Sequence, residues 1–162
     1  MAGLEDLYRE IILDHYRSPR HRGELDTPPA TRTEGFNPLC GDEIVVYLQL
    51  GEGTGDDRVI EEIRIGGQGC SISQSSASMM SSAVTGKTIA EAREVMRAFK
   101  AMMSIHESSL DDSVEEPSEA DVPDVPLGDL EALRGVVKFP VRIKCATLSW
   151  NTLDQGISEA TA

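Results

Sequence analysis

Apolar residues recur at helical spacing from the start of the chain. Leu4, Leu7, Tyr8, Ile11, Ile12 and His15 fall at intervals of three and four, which predicts an amphipathic helix over 4–17 with Asp14 and Arg17 left in water. Ser18-Pro19 stops it, because the residue before proline avoids helical geometry. The polar stretch 20–29, broken by Gly23 and two prolines, reads as a loop. Then the period changes to two. Residues 30–37 read as extended, and 43–50 as a strand with Ile44, Val46 and Leu48 on one side and Val45 and Tyr47 on the other. A loop rich in glycine and acid over 51–57 leads to a returning strand over 58–65, where Ile63 and Ile65 alternate. The run Gly66-Gly67-Gln68-Gly69 is expected to break that strand. Three strands joined by short turns predict an antiparallel sheet.

Helical periodicity returns after Cys70. Residues 71–84 predict a helix of Ser and Ala carrying Ile72, Met79, Met80 and Val84, and Thr85-Gly86 ends it. Thr88 with Glu91 forms a capping box for a further helix to about 105, whose apolar side is Ile89, Val95, Met96, Phe99 and Met103. The stretch 107–126 is crowded with Asp, Glu, Ser and Pro and has no Lys or Arg, so it reads as a mobile acidic insert. A short helix over 127–134, a turn over 135–140 and a last helix over 141–157 complete the chain. That last helix offers Cys145, Leu148 and Leu153 to the core. The pattern predicts a single α+β domain over 1–162: a three-stranded antiparallel sheet packed with helices, with the insert at about 107–126.

Aromatic residues are only 4% of the chain, so the core rests on aliphatic residues and methionine. The net charge of −13 makes nucleic acid and anionic membrane surfaces poor partners and favours basic protein surfaces. The start of the chain has no signal-peptide pattern, and no apolar run is long enough to span a bilayer, so a cytoplasmic location is expected. In a reducing compartment, Cys40, Cys70 and Cys145 are core residues, metal ligands or catalysts rather than disulfides.

Their settings carry the chemistry. Gly41 lets a tight turn aim both the Cys40 thiol and the Asp42 carboxylate at one point. Cys70 follows a glycine-rich bend where a helix begins, and unpaired N–H groups there favour a thiolate. Cys145 lies near the start of the last helix. Three thiolates and a carboxylate suit four-coordinate zinc, and sulfur-rich ligation also suits copper(I) or iron–sulfur chemistry. Spacing alone leaves buried, inert cysteines equally open, since free cysteine is among the most buried residue types. His15 reads as a packing residue of the first helix, His21 as a loop residue and His106 as solvent-facing at the insert border. The methionines read as core filler, and the glycine run lacks the spacing of a dinucleotide fingerprint.

Four motifs in order add a resemblance. Asp14-His15-Tyr16-Arg17-Ser18-Pro19 with Arg22-Gly23, Asn37-Pro38-Leu39-Cys40-Gly41-Asp42, Gly67-Gln68-Gly69-Cys70-Ser71-Ile72-Ser73 and Arg142-Ile143-Lys144-Cys145 resemble iron–sulfur assembly proteins of the IscU and SufU kind. The match runs from about residue 4 to residue 153 and implies the NifU N-terminal/IscU-like fold. IscU-type scaffolds carry a histidine just before the third cysteine and a proline-rich chaperone-docking motif nearby. Lys144 and Phe139-Pro140-Val141-Arg142 stand in those places here, and with the acidic insert they favour the SufU branch.

That resemblance implies a zinc-dependent partner of a pyridoxal-phosphate cysteine desulfurase, acting as a sulfurtransferase. Cys40 would accept sulfur as a persulfide and pass it to a downstream iron–sulfur assembly complex. Asp42, Cys70 and Cys145 would hold the zinc together with Cys40, and a partner histidine would replace Cys40 when it leaves. Arg142 could stabilise the thiolate cluster, and the first helix would contribute to desulfurase docking. The alternatives are a scaffold holding a transient iron–sulfur cluster on the same cysteines, or a structural zinc protein that regulates a partner by binding.

Overall fold

The structure, a computed structural model, describes residues 4–27, 30–38, 41–53, 55–110, 127–138 and 140–161. Helix α1 (Leu4–Arg17) precedes strands β1 (Thr31–Asn37), β2 (Asp42–Leu50) and β3 (Ile60–Gln68). Helices α2 (Ser71–Val84) and α3 (Ile89–Leu110), a 3-10 helix (Gly128–Lys138) and helix α4 (Pro140–Ala160) follow. The sheet has the order β1-β2-β3 with both pairs antiparallel, as the period-two pattern predicts.

One face of the sheet is apolar. Ile44, Val46, Leu48, Ile60, Ile63 and Ile65 are buried there with Val84, Phe99, Trp150 and Leu153 from the helices. Helix α4 lies against β1 and β2, and α2 runs beside α4. The serine-rich surface of α2 permits that close approach: Ser76 Oγ donates to the Ala146 carbonyl at 2.6 Å and accepts from Trp150 Nε1 at 3.1 Å. Trp150 also stacks on Phe99, with centroids 4.6 Å apart. The methionines 79, 80, 96, 102 and 103 are buried, as core filler should be.

Several boundaries differ from the sequence reading. The glycine run does not end β3, which continues to Gln68. Gly67 pairs with Ile44 at a φ of 105°, and a Cβ there would run into the Glu43 carbonyl oxygen, so glycine lets the ladder close rather than breaking it. Helix α3 continues to Leu110 and takes in the first residues assigned to the insert; 111–126 lie outside the described residues. Where a turn was expected over 135–140, the 3-10 helix runs to Lys138 and α4 begins at Pro140, a position that suits proline's fixed φ. Leu7 is 55% exposed, because it sits roughly 90° from the centre of the stripe formed by Tyr8, Ile11, Ile12 and His15.

His15 is more than a packing residue. Buried on α1, it meets Ser78 Oγ on α2 at 2.8 Å through Nδ1 and the Asp129 carboxylate of the 3-10 helix at 2.9 Å through Nε2. The Thr88–Glu91 capping box forms reciprocally, at 3.2 and 3.1 Å.

Candidate metal centre

The end of the sheet next to α2 and α4 gathers the candidate ligands. Asp42 is the first residue of β2, paired in register with Asn37 at the end of β1. Between them the Gly41 N–H donates to the Asn37 carbonyl at 2.9 Å, and Gly41 takes a φ of 68°, the left-handed conformation that glycine adopts without a Cβ penalty. Cys70 caps α2: its backbone is extended and its sulfur accepts from the Ser73 N–H at 3.4 Å. Cys145 lies early in α4 and is fully buried.

These elements bring Asp42, Cys70 and Cys145 together. One donor atom from each lies within 4.8 Å of the other two. Cys40 falls outside the described residues. Lys144, the neighbour of Cys145, is exposed.

The carboxylate of Asp42 is withdrawn from water, with 0% exposure. Its Oδ1 accepts the Cys70 backbone N–H at 2.9 Å, and its Oδ2 lies 3.8 Å from the Cys70 sulfur. Gly69 is required for this approach, since a Cβ there would overlap the carboxylate. Among the described residues, none of the ion pairs involves Asp42. A buried carboxylate beside two sulfurs calls for a cation. A tetrahedral zinc ion with sulfur and oxygen ligands spaces its donor atoms by roughly 3.5–3.8 Å. The donor set therefore fits zinc, and the 3.8 Å between Asp42 Oδ2 and the Cys70 sulfur is a spacing such an ion accepts.

Two features near the sulfurs bear on their charge. Arg142, an exposed residue of α4, hydrogen-bonds Cys145 and feels the charge of Cys70, and both hold its guanidinium in the charged form. The buried side-chain amide of Asn37 reaches Cys145 Sγ at 4.0 Å. Arg142 is expected near the thiolates from its motif, whereas Asn37 stands at the head of the cysteine motif with nothing in the sequence linking it to Cys145.

The residues 7–146 match the family model of the NifU-like N terminal domain. The chain is 42% identical over 158 residues to the zinc-dependent sulfurtransferase SufU of Bacillus subtilis, covering 98% of this chain and 94% of that protein. It is 37% identical over 160 residues to the iron–sulfur cluster assembly scaffold protein IscU of Streptococcus pyogenes serotype M1, covering 99% and 88%. Its fold matches the crystal structure of a NifU-like N-terminal protein from Brucella abortus with a TM-score of 0.73 at 22% identity, covering 97% and 96% of the two chains. The chain belongs to the NifU-like N-terminal family of iron–sulfur cluster assembly proteins, the group that includes SufU and IscU.

Proposed function

We propose that this protein is a zinc-dependent sulfur carrier that takes persulfide sulfur from a cysteine desulfurase for iron–sulfur cluster assembly. The observation that carries the reading is the convergence of Asp42, Cys70 and Cys145 within 4.8 Å, in a chain 42% identical to a zinc-dependent sulfurtransferase. Asp42, Cys70 and Cys145 would hold zinc with Cys40 as fourth ligand. Bound zinc keeps cysteine ligands as thiolates at neutral pH.

Sulfur transfer then needs one thiolate able to leave the ligand set. Asp42 is fixed by the Cys70 N–H, Cys70 by the helix it caps, and Cys145 by burial in α4. Cys40, next to the left-handed Gly41, is assigned that role. Its thiolate attacks the outer sulfur of the partner's persulfide. The partner's S–S bond breaks, the partner cysteine leaves as a thiolate, and a new S–S bond forms on Cys40 with no net oxidation. A downstream assembly complex would receive the sulfur. The net charge of −13 suits a basic docking surface on the partner. Among the described residues no helix is long and apolar enough to cross a membrane.

A scaffold function is the second reading, favoured by the 37% identity to an IscU scaffold. Incubation with a cysteine desulfurase and cysteine, followed by alkylation and mass spectrometry, separates the two. The carrier reading expects zinc near one per chain, a persulfide on Cys40 and loss of desulfurase stimulation in Cys40→Ala. Iron–sulfur absorbance with no added sulfur on Cys40 would establish the scaffold instead.

A further inference from the structure

The described candidate ligands differ in what the protein holds against them, and Cys145 is met by a side-chain amide. Asn37 ends β1, is 7% exposed, and aims Nδ2 at Cys145 Sγ from 4.0 Å. Its backbone is pinned on both sides, by the ladder pair with Asp42 and by the Gly41 N–H bonded to its carbonyl. The amide is therefore carried by the sheet, while the sulfur is carried by α4. A thiolate accepts hydrogen bonds and donates none, so it is the NH2 group, not the amide oxygen, that faces the sulfur.

We infer that Asn37 is a positioning residue whose amide caps the Cys145 sulfur and prevents that sulfur from attacking an incoming sulfane sulfur. The inference rests on the metal-site reading above and deepens it: the cap helps decide which sulfur reacts. An N–H donor draws electron density from the sulfur lone pairs that would otherwise form the new S–S bond. Outer partners of this kind orient a ligand and tune its basicity. Cys70 has a cap of a different sort, the Ser73 backbone N–H at 3.4 Å, which no side-chain replacement removes. Asn37 is thus a neutral side-chain cap that mutation can remove while the exposed, charged Arg142 stays beside the same sulfur.

The test uses the full chain loaded with zinc, and in parallel with cobalt(II). Asn37→Leu keeps the bulk over Cys145 without a donor. Asn37→Ala is the second variant if the leucine form does not fold by circular dichroism. Iodoacetamide labelling is followed at each cysteine by mass spectrometry. Loss of the donor is expected to speed labelling of Cys145 on the order of tenfold while leaving Cys70 within about twofold. The sulfur-to-cobalt charge-transfer band is expected to move to lower energy, a change that altered access to the sulfur does not produce. Unchanged Cys145 labelling with an unshifted band, in variants that still bind metal, overturns the cap alone. Wild-type protein that binds neither metal at these cysteines overturns the metal site and the cap with it.

Discussion

At Asp42, a carboxylate with 0% exposure sits against a glycine backbone, with one oxygen bonded to an N–H and the other facing a cysteine sulfur. Residues at this scale were unevenly legible in the sequence. The start of a helix at Cys70 followed from the return of helical periodicity after it, and the structure adds that its side chain caps that helix. The pairing of Asp42 with Cys70 across 28 positions needed the sheet, because a one-residue slip would aim the carboxylate at the opposite face. Asn37 was invisible as a partner of Cys145, since their contact joins positions 108 apart. Asp42→Ala is expected to weaken zinc affinity by at least 10–100-fold, roughly the range seen when even outer partners of a metal ligand are lost. Zinc content after gel filtration, measured by mass spectrometry, checks it; a full zinc complement would reject Asp42 as a ligand.

The elements were read best where periodicity was strong. Helices α1 and α2 have the bounds that their apolar and small-residue patterns predict, and Thr88 with Glu91 caps α3 as a box. Glycine misled the strand reading because it serves two opposite purposes. It breaks strands by its freedom, and it also allows backbones to approach where a Cβ cannot fit. Gly67 is the second case. Gly67→Ala is expected to cost about 2–5 kcal/mol, through a left-handed φ and a clash with the Glu43 carbonyl. Urea unfolding checks it, and a midpoint equal to the wild type would show that β3 can shift to accept the methyl group.

Across the whole molecule, the candidate ligands come from the start of β2, the cap of α2 and the second turn of α4. A metal there would tie the sheet to both helices, so its binding free energy would add to folding stability. Chelation by EDTA is therefore expected to lower the melting temperature of the zinc-loaded wild type by roughly 5–15 °C. The same treatment should leave Asp42→Ala nearly unmoved. Equal melting temperatures of the wild type with and without chelator would argue against a stabilising ion at this point.

By itself the sequence determined the α+β class, the antiparallel sheet, the main helices and the family motifs around each cysteine, because each depends on local periodicity or on residues close in the chain. Only the tertiary structure decided that Asp42, Cys70 and Cys145 meet, that Asn37 reaches Cys145, and that His15 joins three elements. Those contacts form where strand register and helix packing bring distant segments together, and no local pattern encodes the separation of two side chains across a core.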